Sequence, residues 1–170
     1  MSTLRVDNIQ DQGGAERRGL KTYAIICDQK GEQDDGGTFT SGAWQTRDLN
    51  TEIADPDGIV SIASNQFTLG AGTYLIEASA PGYRCNRHIT RIQNITAGTT
   101  VQVGSVQYCN QTYNIYNRSI VLARVTITGS TAFEIQHRCQ TAQPTNGFGT
   151  DSGITGVPSI YTIVKIYKEA

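Results

Sequence analysis

The chain is poor in the residues that build helices and membrane spans. Among its 170 residues there are six Leu and one Met, against 21 Thr, 18 Ile and nine Val. Side chains branched at Cβ favour strands over helices, so the composition predicts an all-β fold. No apolar run is longer than residues 23–27. Because a helix needs about 20 apolar residues to cross a bilayer, we expect no membrane insertion.

The chain also lacks an excess of charge of either sign. Fourteen Lys and Arg stand against 15 Asp and Glu, which gives a net charge of −1. Proteins that bind nucleic acid through its phosphates need clustered basic residues, so we expect no nucleic-acid partner. With 170 residues, 38% of them hydrophobic, the sequence has the size and composition of one globular domain.

Paired cysteine motifs are missing as well. Cys27, Cys85, Cys109 and Cys139 are widely separated, and no two of them form a C-x2-C pair. Residues 1–14 have neither the apolar stretch nor the cleavage site of a secretory signal, so we expect a reducing compartment and four free thiols. Without a paired motif a zinc site is disfavoured. The sequence therefore predicts no metal and no other cofactor.

No catalytic motif is present either. There is no G-x-S-x-G elbow, no H-E-x-x-H and no phosphate loop that opens a helix. Asp55 and Asp57 lie in a turn without the further oxygen ligands of a calcium loop. His88 is interpreted as a solvated surface histidine and His137 as a buried structural one. We therefore expect that the protein is not an enzyme.

Strand-like runs recur about every ten residues from Leu20 onward, as in sandwiches and barrels. A polar segment, residues 1–19, precedes them; it cannot bury itself and is expected to be an extended arm that lies on a partner. The predicted organisation is thus an N-terminal arm, 1–19, followed by one sandwich domain, 20–170. The predicted strands are 20–27, 38–47, 59–69 with a possible break at 64–65, 72–80, 86–95, 99–108, 118–128, 132–139 and 159–168.

Alternation along two of these strands predicts which faces are buried. In the strand 132–139, one face carries the residues expected in the core, namely Phe133, Ile135, His137 and Cys139. The strand 159–168 is apolar on both faces, so a second subunit is expected to cover one of them. Tyrosines suit such a contact because a hydroxyl accompanies their apolar ring. The predicted interface residues are Tyr23, Tyr74, Tyr161, Ile163 and Tyr167.

Recognition is expected in the longer connections. Loops on a rigid sandwich commonly carry binding sites, and the candidates are residues 29–37, 110–117 and 141–157. The middle stretch combines aromatic rings with Asn and Gln, a mixture that suits sugar faces and hydroxyls. The candidate ligand residues in these loops are Asp34, Asp35, Tyr113, Tyr116 and Phe148.

Several segments carry a resemblance to known proteins. The run 23–27, the segment 67–74 before a strand, the strand 120–128 and the closing run 161–167 together resemble a jelly roll of the C1q/tumour-necrosis-factor (TNF) type. Longer strings resemble small virion proteins of marine bacteriophages, often labelled tail fibre or structural protein. The opening residues 2–10 are similar to the N-terminal segment of many phage appendage proteins. The virion resemblance rests on residues 47–52, 55–59, 64–69, 133–139, 147–149 and 160–168.

This resemblance implies a homotrimer packed around a threefold axis, with loops at one end free to meet a partner. It also implies assembly in the cytoplasm of a host bacterium and localisation in the virion. We therefore expect a tail-fibre-like appendage, held by other virion proteins through residues 1–19 and attached to a host surface polysaccharide or protein. Two alternatives stay open: a capsid decoration or protrusion protein without receptor binding, and a secreted C1q-like or lectin-like binding module. A polysaccharide-degrading enzyme is a third alternative, for which the sequence gives weak support.

Overall fold

A computed structural model describes residues 22–169, which form twelve β-strands and no helix. The predicted arm, residues 1–19, lies outside the described residues. Within residues 22–169, no helix long and apolar enough to span a membrane is found. The strands are β1 Tyr23–Lys30, β2 Gln45–Thr46, β3 Thr51–Ala54, β4 Val60–Ala63, β5 Gln66–Leu69, β6 Gly72–Tyr83, β7 Asn86–Asn94, β8 Thr99–Val103, β9 Gln107–Cys109, β10 Tyr116–Ile127, β11 Thr131–Cys139 and β12 Ser159–Lys168.

The strands form two antiparallel sheets. The five-stranded sheet has the order β10-β6-β12-β1-β3; the seven-stranded sheet has the order β4-β5-β11-β7-β8, with β2 paired to β11 and β9 paired to β7. Apolar residues on the facing sides of the two sheets form the main core, in which the rings of Phe67 and Phe133 stack at 5.5 Å. The predicted all-β sandwich is confirmed.

Where the predicted strands are too long, backbone conformation and non-local bonds explain the breaks. Ser64 and Asn65 both have positive φ, so residues 59–69 fold into the β4–β5 hairpin with a two-residue turn. The run 99–108 is divided at Gly104, whose N–H donates to the Thr90 carbonyl at 2.8 Å. A Cβ on Gly104 would lie 2.6 Å from the Ile120 carbonyl oxygen.

The predicted strand 38–47 is almost entirely a loop. The Phe39 backbone forms hydrogen bonds in both directions with Gln143, at 2.9 and 2.8 Å, and only β2 joins a sheet. Strand β3 is not among the predicted strands. Within the described part of the chain it is a short edge strand that pairs only with β1, and Ile53 is its one large apolar residue.

The predicted core face of β11 is confirmed: Phe133, Ile135, His137 and Cys139 are buried. Two of the predicted interface residues are wrong because they are buried within the subunit. Tyr74 lies in the main core, 1% exposed, and its hydroxyl donates to the Gly70 carbonyl at 3.0 Å. Tyr161, 3% exposed, is covered by a loop, since its hydroxyl donates to the Asp34 carbonyl at 2.6 Å.

Candidate assembly face and loop end

The outward side of the five-stranded sheet carries a band of apolar residues, which we call the outer face. Cross-strand register aligns them in rows: Tyr23, Tyr167 and Leu75 in one, and Ile25 with Leu122 in the next. A third row contains Ile163 and Ile120. Ile120 and Leu122 are 50% and 55% exposed, and the other residues of these rows are half-buried. The outer face comprises Tyr23, Ile25, Leu75, Ile120, Leu122, Ile163 and Tyr167.

Charged groups on the outer face are paired with one another. Lys165 lies between Ile25 and Glu77 in the middle row, and its Nζ is 3.1 Å from the Glu77 carboxylate. At the edge of the face, Arg124 donates two hydrogen bonds of 2.8 Å to Glu169. Each pair is neutral as a whole, so two copies of this face would not repel each other electrostatically. The predicted residues Tyr23, Ile163 and Tyr167 lie on this face, whereas Ile120 and Leu122 are missing from the sequence prediction.

At one end of the sandwich, long loops are bound to each other through their backbones. The Gly36 N–H donates to the Gly149 carbonyl at 2.8 Å, and the Gly37 N–H donates to Thr145 at 3.0 Å. The Tyr83 N–H donates to Gly147 at 3.0 Å, which brings the end of β6 to the same place. We call this region the loop end. It brings together the predicted ligand loops 29–37 and 141–157.

The predicted ligand residues differ in exposure. Tyr113 is exposed, and Tyr116 is exposed but packs at 4.8 Å on the Tyr83 ring. The backbone carbonyl of Asp34 accepts from Tyr161, and Asp35 Oδ1 accepts from the Asp151 N–H at 3.1 Å, so both residues help to hold loops in place. Phe148 is wrong as a ligand residue: it is 7% exposed and belongs to a second buried cluster.

Arg47, which sequence reasoning does not single out, attaches the loop end to the sandwich. Its fully buried guanidinium stacks 3.8 Å from the Phe148 ring and donates to the Phe148 and Pro81 carbonyls, at 2.9 and 3.3 Å. A third bond reaches the Thr162 hydroxyl on β12 at 2.8 Å. Burial lowers the pKa of Arg47 to about 9, and nearby Asp28 opposes this shift. Arg47 is therefore a cation at neutral pH.

A surface groove beside the loop end is a candidate ligand site that sequence reasoning finds only in part. Its volume is ≈ 540 Å³, and its lining includes Arg87, Val106, Tyr108 and Asn117. Tyr108 is exposed, its backbone carbonyl accepts from the Asn117 amide at 2.6 Å, and its hydroxyl accepts from Asn110 at 3.2 Å. The part of this groove that the sequence indicates is the stretch rich in aromatic and amide side chains that ends at residue 117.

Beneath the loop end, three cysteines and a histidine lie together in the interior. The thiol sulfurs of Cys85 and Cys109 are 3.3 Å apart, and one ligand atom each of Cys85, His88 and Cys109 lie within 4.8 Å of one another. Cys139 belongs to the same buried cluster. The expectation of an exposed His88 is wrong: the side chain is 2% exposed because its ring packs in the interior, 5.0 Å from the ring of the fully buried His137.

Hydrogen bonds set the electrostatics of this cluster. The Cys85 thiol lowers the pKa of Cys109 and of Cys139 by hydrogen bonding. The pKa of Cys85 itself is raised, first by its contacts with the other two thiols. Burial lowers the pKa of His137 well below the usual value, so its ring is neutral. Cys85, His88 and Cys109, whose ligand atoms lie together, could hold a soft metal ion.

Comparisons with known proteins identify the fold. No family model matches the chain, and no curated protein matches it. Among solved structures, the globular domain of zebrafish complement 1qA is 12% identical, with a TM-score of 0.56 over 89% of this chain and 98% of that one. The fold is a jelly roll of the C1q/TNF type.

Two further structures have the same jelly roll. Murine APRIL is 7% identical, with a TM-score of 0.55 over 87% of this chain and 99% of its own. The Eiger TNF of S. frugiperda is 11% identical, with a TM-score of 0.55 over 88% of this chain and 93% of its own. The structural similarity covers nearly the whole of each of these three compared chains, so the C1q/TNF-type domain occupies the described part of this chain.

Proposed function

We propose that the protein is a non-enzymatic, homotrimeric binding module that serves as a virion appendage. The observation that carries the proposal is the outer face, where Ile120 and Leu122 are half exposed beside a continuous band of aromatic and aliphatic residues. Large contiguous apolar patches are uncommon on monomers and mark contact surfaces. The C1q/TNF-type fold supports a trimer as the form of that contact.

Further copies of the same chain suit this face chemically. Its charges are already paired within each subunit, as in the Glu77–Lys165 bridge, so no cation or anion is buried alone when copies meet. When two different patches of one face meet in neighbouring copies, and a rotation relates those copies, the copies form a closed ring if the rotation closes. The smallest ring of this kind has three copies, because a pair related by a twofold axis uses the same patch on both copies. Each trimer would display three loop ends, and several weak contacts would then add through multivalency.

The finer role is attachment to a host surface polysaccharide or protein, with residues 1–19 bound to other virion proteins. It is supported by the resemblance of several strings to phage virion proteins and by the exposed aromatic residues Tyr108 and Tyr113 near the loop end. Localisation in the virion, after assembly in the host cytoplasm, belongs to the same proposal. A capsid decoration protein would share the trimer and the arm but would bind no receptor.

Leu122→Glu is expected to convert the trimer into a monomer. In the register, residue 122 faces Glu77, whose carboxylate is already paired with Lys165, so the new carboxylate would be buried without a partner when copies meet. Sedimentation velocity and light scattering measure the outcome. Ile154→Glu is the matched control, because Ile154 is similarly exposed, at 59%, but lies in the loop before β12 and is not a residue of the outer face. A wild-type chain that sediments as a monomer at micromolar concentration would contradict the proposal.

Removal of residues 1–19 is expected to leave a trimer that no longer joins virus particles. Particles assembled with tagged full-length or truncated chain would be purified and probed for the tag, while sedimentation checks the free truncated protein. Incorporation of the truncated chain at the full-length level would show that the arm is not the attachment point. An electron-microscopy map of labelled particles would distinguish a tail position from a capsid position.

The secreted C1q-like module is a second candidate, supported by the fold and by the 3.3 Å approach of the Cys85 and Cys109 sulfurs. A secreted protein would be expected to oxidise this pair. Thiol titration of the denatured, unreduced protein separates the two functions, because the virion protein retains four thiols and the secreted module retains two.

A further inference from the structure

The cluster beneath the loop end has the composition of a metal site. Cys85 lies in the β6–β7 turn, His88 on β7, Cys109 at the end of β9 and Cys139 at the end of β11. Three thiols and one imidazole form a ligand set that binds Zn²⁺ in tetrahedral structural sites. Soft thiolate ligands favour zinc over magnesium or calcium.

The distances among Cys85, His88 and Cys109 fit a zinc ion after small shifts. A Zn–S bond of about 2.3 Å places two tetrahedral sulfur ligands about 3.8 Å apart, and the Cys85 and Cys109 sulfurs are 3.3 Å apart. Cys139 lies in the same buried cluster but outside the group of three whose ligand atoms are within 4.8 Å of one another. The Cys139 sulfur at present donates to the Thr40 and Thr141 carbonyls at 3.4 and 3.3 Å, so it must turn from them to bind as the fourth ligand.

His88 supplies the second, independent observation. Its Nε2 is buried and has no hydrogen-bond partner among the residues that the structure describes, and it lies on the Cys85 side of the ring. A Cβ built on Gly82 would be 2.9 Å from this nitrogen and 3.0 Å from the Cys85 sulfur. An unpartnered buried nitrogen is costly unless something binds it. A metal ion held by the adjacent sulfurs would satisfy it.

Metal-bound histidines donate their other ring N–H to an acceptor, usually a carboxylate, a carbonyl or water, and in His88 the nitrogen of a second histidine takes this place. Nδ1 lies 2.9 Å from His137 Nε2. When His88 binds a metal through Nε2, its Nδ1–H donates to the Nε2 of His137. Such contacts orient the ligating ring and are commonly worth about 10- to 100-fold in metal affinity. His137 would therefore act as a positioning residue.

We propose that Cys85, His88, Cys109 and Cys139 form a structural Zn²⁺ site. Binding releases the thiol protons to solvent as the sulfurs become thiolates. A groove of ≈ 360 Å³, lined in part by His88 and Cys139, offers a route from the surface. The ion would join the β6–β7 turn, β9 and β11, and would stiffen the base of the loop end.

Metal content of the full-length chain tests the site directly. The protein is expressed with zinc under reducing conditions, gel-filtered and analysed by mass spectrometry for metals; we expect one zinc per chain. Replacement of zinc by Co²⁺ should give thiolate-to-cobalt charge-transfer absorption and the intense visible bands of tetrahedral cobalt. Cys109→Ser and His88→Gln should each lower zinc affinity at least tenfold. His137→Gln should lower it by a similar or smaller factor while the cobalt spectrum stays tetrahedral.

Cys27→Ser is the matched control. Cys27 is also a buried free cysteine, but it lies on β1 outside the cluster, so this variant should retain one zinc per chain. The proposal is overturned if chelator-treated wild-type protein binds no added zinc, or if Cys27→Ser loses as much metal as Cys109→Ser. It is also overturned if the purified protein has two thiols rather than four after denaturation without reductant. An unchanged affinity in Cys139→Ser would remove Cys139 as a ligand.

Discussion

Arg47→Met is expected to lower the free energy of unfolding by about 3–5 kcal/mol, because a buried cation would be removed from among partners that remain buried. The carbonyls of Pro81 and Phe148 and the hydroxyl of Thr162 would lose their donors. Asp28, which is fully buried, would lose one of its two compensating cations and retain Lys30 at 3.3 Å. Methionine would replace the volume of the side chain but none of its hydrogen bonds.

Denaturant titration at a fixed chain concentration measures this loss, since association of subunits adds to apparent stability. Arg138→Met provides the control, because Arg138 is exposed on β11 and surface changes usually stay within about 0.5 kcal/mol. Hydrogen exchange should also show faster opening of residues 143–149 in the Arg47 variant, as their link to the sandwich is lost. A loss below 1 kcal/mol would show that Arg47 does not hold the loop end.

Phe133→Ala is expected to cost about 3–5 kcal/mol through the loss of apolar burial and the cavity that remains. Phe133 is fully buried on β11, between β5 and β7 in the seven-stranded sheet, and its ring stacks on Phe67. Sheet pairing on both sides limits how far the backbone can close the cavity. We therefore expect the loss in free energy of unfolding to be among the largest that core substitutions cause.

Ile154→Ala deletes a smaller apolar side chain at an exposed loop position and should change stability by less than about 0.5 kcal/mol. Both variants can be compared by the shift of the denaturant midpoint at an unchanged slope. Equal effects of the two substitutions would contradict the placement of Phe133 in the core.

Much of the fold could be predicted because alternation is a local property. The faces of β11 are correct because Phe133, Ile135 and His137 occupy every second position, and a strand places such residues on one side. The predicted break at residues 64–65 is correct because turn preference is also local: Asn tolerates the positive φ of a tight turn. The strand 159–168 has the predicted bounds.

The candidate sites were predicted less well because their burial depends on distant segments. Alternation places Tyr161 on the same side of β12 as Ile163, but only the folded loop at Asp34 covers it. Leu122 and Ile120 were missed because both sides of β10 are apolar near Val121 and Ala123, and the pattern does not show which side meets the core.

By itself the sequence determined an all-β sandwich, its principal strands and a buried His137, since these follow from β-branched composition and period-two alternation. Only the tertiary structure decided the order of strands in the sheets, the burial of Arg47 and His88, and the meeting of Cys85, Cys109 and Cys139. These features depend on which strand ends become neighbours across long stretches of chain, and no local pattern carries that information. The Cys85-x2-His88 spacing was the only local sign of the cluster, and its other two cysteines come from the ends of separate strands.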